Sequence, residues 1–205
     1  AFPFPKASTG GGELLLTLGH PYELTSVTEG WEPNLALCQK KLAPLGITVK
    51  YYDSEKGMPL PFPDDSFDLV IDRHESYDLS EVRRVLKKNG FFVTQQVGGE
   101  NDLPLVKRLC QGFSGSFVGF NLENELPRFR QAGFRVMRSD QAYVESRYLD
   151  VGAVVFQASV CPWEYPGFSV ETSQEALFQM QAQVESLGFV PNLEHRFLIV
   201  AKNRK

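Results

Sequence analysis

The sequence predicts an α/β fold: an open, mostly parallel sheet with helices on both faces. Three observations predict it. Short apolar runs alternate with helical patterns through the first half of the chain, and that rhythm calls for parallel strands joined by crossover helices. Such crossovers are right-handed. Glycines and acidic residues recur just after the apolar runs, at the strand ends where an open parallel sheet binds its ligands.

The elements follow in order. Ala1–Ala7 precedes the run Ser8-Thr9-Gly10-Gly11-Gly12-Glu13. A strand is needed in front of that run, yet Pro3 and Pro5 would each remove a ladder donor. The first strand is therefore expected to be degenerate or missing, and a chain starting there reads as a fragment. Leu14–Leu18 begins a short helix that Gly19 stops. Leu24–Thr28 is a β-prone run closed by Glu29 and Gly30. Pro33 suits the first turn of the next helix, whose apolar face is Leu35, Leu37, Cys38, Leu42 and Leu45. Ile47–Tyr52 is a strand ending at Asp53-Ser54-Glu55, followed by a proline-stiffened loop, Met58–Pro63. Phe67–Ile71 is a buried strand with Asp72-Arg73-His74-Glu75 beyond it. Asp78 or Ser80 caps a helix expected to run to Asn89-Gly90, with Arg83, Arg84, Lys87 and Lys88 as its solvated end. Phe91–Val97 is the next strand, closed by Gly98-Gly99.

The second half is less regular. Helices are expected at Leu103–Cys110, Leu122–Gln131 and Ser173–Leu187, an edge or bent strand at Phe134–Val144, and a final strand at Glu194–Ala201. Val151–Ala158 is apolar but too short for periodicity to separate strand from helix. Trp163, Tyr165 and Phe168, stiffened by Pro162 and Pro166, form either a lid or a packed insertion.

Composition narrows the function. The chain has 205 residues, 42% hydrophobic and 22% charged, with a net charge of −4, which fits one folded domain and gives no global attraction to a phosphate backbone. The three cysteines match no metal-ligand or disulfide spacing. Cys38 and Cys110 read as small buried hydrophobes, and a reducing, cytoplasmic setting fits. No 18-residue apolar run predicts a membrane span, and the N-terminal residues lack the basic start of a signal peptide. His20, His74 and His195 form no metal motif; His20 reads as a surface residue and His195 as structural.

The candidate site is the rim of strand ends. Glycines at 10–12 let a ligand approach the backbone. An acid after the second strand, Glu29, can accept two hydrogen bonds from a ribose diol. Asp53 and Glu55 stand where an adenine amine would lie. His74 is a candidate base near neutral pH, with Glu75 to orient it or the acceptor. Each residue also has a plain role: the glycines as a turn, Glu29 as a helix-start acid, Asp53 and Glu55 as loop acids, and Arg73-His74-Glu75 as a loop that shapes the pocket.

Taken together, these residues resemble a class I S-adenosylmethionine-dependent methyltransferase of the small-molecule type. The resemblance is carried by Met58-Pro59-Leu60-Pro61-Phe62-Pro63-Asp64-Asp65-Ser66-Phe67-Asp68-Leu69-Val70, by Arg84–Phe91 and by Glu29, and covers about residues 8–97. It implies a Rossmann-like, seven-stranded sheet whose last strand is antiparallel. It also implies a single domain over 1–205, with an acceptor-side insertion or lid at about 103–170. S-adenosylmethionine would be held by Thr9, Gly10, Gly11, Gly12, Glu29, Gly30, Asp53, Ser54, Glu55, Asp72 and Arg73, and leave as S-adenosylhomocysteine. His74 and Glu75 would act on the acceptor, expected to be a small molecule, with RNA the alternative. Lys6 and Ser8 stand where the family has an acid and its first glycine. That departure keeps a non-enzymatic binding or scaffold role open. A dinucleotide-dependent oxidoreductase would need an intact glycine fingerprint directly after a strand.

Overall fold

Strand β1 (Phe4–Ala7) is present, which corrects the expectation that the first strand could be missing; the departures at Pro5 and Lys6 that made it look degenerate lie within it. It pairs in parallel with β2 (Thr25–Glu29) at four positions, Phe4↔Thr25 to Ala7↔Thr28, and with β4 (Phe67–Arg73) at Lys6↔Ile71 and Ala7↔Asp72. Pro5 stands opposite Ser26, so the ladder lacks one donor and still forms. The structure is a computed structural model and describes the backbone of residues 4–7 together with residues 12–54, 56–113, 115 and 117–205.

The remaining elements are α1 (Glu13–Thr17), α2 (Glu32–Lys41), β3 (Thr48–Tyr51), α3 (Leu79–Val85), β5 (Leu86–Val97), α4 (Leu103–Leu109), α5 (Leu122–Gln131), β6 (Phe134–Tyr148), α6 (Val151–Val160), α7 (Gln174–Leu187) and β7 (Val190–Asn203). The strand order is β3-β2-β1-β4-β5-β7-β6, and the ladders from β3 through β5 are parallel. This is an α/β, Rossmann-like layout.

The chain divides into two compact units, residues 1–96, 122–140 and 198–205 in one, residues 97–121 and 141–197 in the other. In the first unit, Leu15, Val27, Cys38, Leu42 and Ile47 pack as one buried cluster. A second aromatic core joins Phe92 and Phe129, stacked with ring centres 5.7 Å apart, to Tyr77 and Phe134. The proline loop is clamped by Arg84, whose guanidinium donates to the Leu60 and Phe62 carbonyls, Glu81 and Asp64, each at 2.8 Å. Arg84 is thus a structural clamp rather than part of a solvated helix end.

Helix α3 also stops at Val85, four residues before the expected Asn89-Gly90 stop. Pairing resumes from Phe67↔Leu86 to Leu69↔Phe91, so residues 87–90 bulge out of β5, with Asn89 at φ 65°. The carbonyls that a longer helix would use are taken instead. Asn203 Nδ2 donates to the Arg83, Leu86 and Lys87 carbonyls.

In the second unit, Leu105, Val106, Leu109, Val154, Met180 and Val190 belong to one buried cluster. Residues 151–160 are helical because Asp150 caps their first turn, accepting from Ala153 N–H at 2.8 Å. Tyr165, expected in a lid or packed insertion, is fully buried and donates to Asp102 Oδ2 at 3.1 Å, while Asn192 Nδ2 donates to Asp102 Oδ1 at 2.7 Å. Trp163 stays 58% exposed. Among the described residues no helix is long and apolar enough to cross a membrane, and no cluster of His, Cys, Asp or Glu is arranged to hold a metal ion.

Candidate functional site

Register brings the candidate residues of the first unit to one rim. Ala7 lies beside Thr28 on one side and Asp72 on the other, and Glu29 lies beside Tyr51. The carboxyl ends of β1, β2, β3 and β4 therefore align, with Glu29, Asp53 and Asp72 to Glu75 at or just beyond them. Thr9, Gly10, Gly11 and Glu55 lie outside the described residues. Gly12 precedes α1 with φ 82°, and a Cβ there would meet Leu42 Cδ2 at 2.9 Å. Both the backbone angle and the contact select glycine.

Glu29 is 2% exposed, and its Oε1 accepts the Trp31 N–H at 3.2 Å. Tyr52 N–H donates to the Glu29 carbonyl at 3.2 Å, drawing the ends of β2 and β3 together. A Cβ on Gly30 would sit 2.8 Å from the Tyr52 carbonyl oxygen, so this crossing excludes a side chain. Asp53 pairs with Lys56 at 2.9 Å and accepts from the Tyr51 hydroxyl at 3.5 Å. The Ser54 hydroxyl meets that of Ser76 at 2.6 Å, tying the loop after β3 to the loop after β4. Burial, with the charges of Asp78 and Glu81, pushes the Tyr52 phenol up to about 12.

Asp72 is the most unusual group on the rim. It is 2% exposed, and its Oδ2 accepts from Gln96 Nε2 at 2.7 Å and Thr94 Oγ1 at 3.2 Å. Its Oδ1 is buried without a hydrogen-bond partner among the described residues. Burial holds the carboxyl well above the usual carboxylate range; the Thr94 and Gln96 bonds oppose that rise and the Glu75 charge adds to it. Gln96 is fixed in turn by the Glu75 carbonyl at 3.0 Å. The sequence marked Asp72 but carried no signal for Thr94, which becomes relevant only through the β4–β5 register.

Arg73, His74 and Glu75 are exposed. Arg73 Nε donates to Gln95 Oε1 at 2.8 Å. His74 has φ 60°, in the left-handed region that a side chain rarely adopts, and its N–H donates to the Gln95 carbonyl at 2.9 Å. Such a backbone costs about 1–3 kcal/mol and persists where its surroundings enforce it, commonly at ligand sites. His20, by contrast, is half-buried with Nδ1 on the Thr25 hydroxyl at 2.9 Å, away from the surface role expected of it.

The residues present fit the adenosyl cofactor. A buried acid ends β2, a side-chain-free backbone crossing lies beside it, and near the end of β4 on the same rim Asp72 has a carboxylate oxygen with no hydrogen-bond partner among the described residues.

The family model described as "Methyltransferase domain" matches residues 6–94. No curated protein matches the sequence. Among solved structures, a Bacillus halodurans protein assigned as a methyltransferase is 16% identical with a TM-score of 0.64, over 100% of this chain and 93% of that one. YcgJ from Bacillus subtilis is 14% identical with a TM-score of 0.62, over 100% and 92%. The cyclase SpnF is 14% identical with a TM-score of 0.59, over 100% and 75%. At these identities the likeness concerns the fold. The family match spans the strands and loops that build the rim, so residues 6–94 resemble a class I S-adenosylmethionine-dependent methyltransferase domain, and the chain shares the fold of these structures.

Proposed function

We propose that this chain transfers a methyl group from S-adenosylmethionine to a small-molecule acceptor and releases S-adenosylhomocysteine. The observation that supports this best is Asp72, a buried carboxyl group with one oxygen that has no hydrogen-bond partner among the described residues, on the rim it shares with Glu29 and Gly30. In this reading Glu29 takes the ribose diol, while Asp53, Ser54 and Glu55 border the adenine. Thr9 to Gly12, Asp72 and Arg73 line the methionine end. When bound, the cofactor supplies an electrophilic methyl on a sulfonium. The protein's task is to align the acceptor nucleophile with that methyl and keep water out. His74, with its backbone pinned to Gln95, orients the acceptor or takes its proton, and Glu75 assists. The stretch at about 103–170 includes an acceptor-side insertion or lid in this reading.

Calorimetry with S-adenosylmethionine and S-adenosylhomocysteine tests cofactor binding. Transfer of labelled methyl into a panel of small amines, phenols and thiols tests the reaction. Heat with both ligands and label in an acceptor are expected; no heat and no thermal stabilisation with either would sink the reading. The double change His74→Ala with Glu75→Ala is expected to keep cofactor binding and lose turnover. Unchanged turnover would remove both residues from the chemistry.

A second reading, ligand binding without methyl transfer, is favoured by Lys6 and Ser8, which replace the family's acid and first glycine. A fold shared with a protein named as a cyclase does not fix the reaction. Cofactor heat without label transfer to any acceptor would support it.

A further inference from the structure

Arg73 ends β4, and its cross-strand neighbour is Gln95 of β5. Gln95 Oε1 accepts from Arg73 Nε at 2.8 Å, and the Gln95 carbonyl accepts the His74 N–H at 2.9 Å. One residue of β5 therefore holds both the guanidinium and the left-handed turn that carries the imidazole. Gln96 secures the same turn from its other side, donating to Asp72 Oδ2 at 2.7 Å and to the Glu75 carbonyl at 3.0 Å. The guanidinium is thus oriented before any ligand arrives, which lowers the ordering cost of binding one.

Arg73 is exposed, and among the described residues its Nη1 and Nη2 have no hydrogen-bond or ion-pair partner. Lys56, by contrast, is paired with Asp53. A guanidinium engaged only through Nε still presents the N–H groups of both terminal nitrogens, a planar fork that matches the two oxygens of a carboxylate. Its direction separates it from the cofactor residues. β4 stands between β1 and β5 in the sheet, and Glu29, Gly30 and Asp53 follow β2 and β3, beyond β1. The bond to Gln95 draws the guanidinium the other way, toward β5. Residue 73 thus borders the methionine end while its charged head lies on the far side of β4. The setting is acidic, since the Glu75 charge acts on Asp72. One negative charge on a ligand is matched there, and a second is opposed.

We infer that Arg73, positioned by Gln95, binds the carboxylate of the methyl acceptor, so that the acceptor is a small monocarboxylic acid whose nucleophile is presented to His74. That the occupant is the acceptor rests on the methyl-transfer reading; that the fork binds a carboxylate does not. The full chain, labelled with ¹⁵N-arginine, is titrated with benzoate, with benzamide as the uncharged isostere and phenyl phosphate as the dianion. Each titration is run alone and with saturating S-adenosylhomocysteine. Binding is read from the ligand's own proton relaxation, and the Arg73 Nε resonance, assigned by its absence in Arg73→Gln, reports the site. Benzoate is expected to bind saturably in both series and to shift Arg73 Nε. Arg73→Gln should weaken benzoate about tenfold or more, the effect of losing charge-assisted hydrogen bonds. Arg73→Lys, a charge without the fork, should fall between it and the parent. Gln95→Leu leaves the charge but frees its orientation, and should also weaken benzoate. The inference fails if benzoate gives no saturable shift, if benzamide or phenyl phosphate binds as tightly, or if Arg73→Gln binds benzoate as the parent does. Displacement of benzoate by S-adenosylhomocysteine would hand the fork to the cofactor's own carboxylate, overturning the inference and leaving the cofactor reading intact. Benzoate binding in a chain that takes no S-adenosylhomocysteine would keep the carboxylate site and overturn its assignment to a methyl acceptor.

Discussion

Replacing Asp72 by asparagine should stabilise the ligand-free protein at neutral pH while weakening S-adenosylmethionine binding. Asp72 is 2% exposed, with Gln96 and Thr94 donating to Oδ2 and no partner on Oδ1 among the described residues. Its folded pKa is raised, chiefly by burial. The folded state therefore holds the proton to higher pH than the unfolded chain does. Stability consequently falls as pH rises above the unfolded value, about 4, and goes on falling until the folded carboxyl ionises. An asparagine keeps an oxygen for Gln96 and Thr94 but carries no charge. An unpaired buried polar group costs about 1–3 kcal/mol and a charged one more, so the gain at pH 7 is on the order of 1–2 kcal/mol. For a chain of this size that raises Tm by about 2–4 °C per kcal/mol. Urea unfolding of parent and Asp72→Asn between pH 4 and pH 8 measures the difference. It should grow with pH and vanish toward pH 4. A variant equally destabilised at every pH would refute the reading of Asp72 as a carboxylate held against its own ionisation.

Three further outcomes are expected. Phe129→Ala, at a fully buried ring packed on Phe92, Tyr77 and Phe134, should cost about 3–5 kcal/mol in urea unfolding. Arg84→Ala frees the Leu60 and Phe62 carbonyls and should cost about 1–3 kcal/mol. Because Arg84 holds the Glu81 carboxyl below its usual range, the parent's advantage should shrink as pH falls through the carboxylate range. His74→Gly exchanges left-handed strain for glycine's greater unfolded entropy, so stability should stay within about 1 kcal/mol of the parent; lost turnover with stability kept would assign the effect to the imidazole.

Sequence made the parallel half of the fold legible because each short apolar run is closed by its own glycine or acid. The same local logic located Glu29, Asp53 and Asp72, since their distance from a strand end is fixed by the strand itself. It failed where distant residues decide. Asn89-Gly90 reads as a helix stop, yet Asn203, more than a hundred residues away in sequence, takes the carbonyls that would extend α3. Thr94 acquires its meaning from standing opposite Asp72 across the ladder. The Val151–Ala158 run was ambiguous by periodicity and was settled by one cap, Asp150. Tyr165 sits in a proline-rich stretch that reads as either a lid or a packed insertion; its burial and its hydroxyl on Asp102 decide for packing, through a partner no local pattern announces.

Strand β1 gives the sheet an uneven seam. It is joined to β4 at two positions, fewer than any other parallel ladder among the described residues, and Pro5 contributes no amide hydrogen on the side facing β2 or β4. The slot between β2 and β4 is thus occupied by a strand whose ladder to β4 is the shortest of the parallel ladders among the described residues. In amide exchange, Lys6 and Ala7 should lose protection ahead of Val27 and Val70. Opening would propagate outward from the middle of the sheet, reversing the usual fraying from its edges.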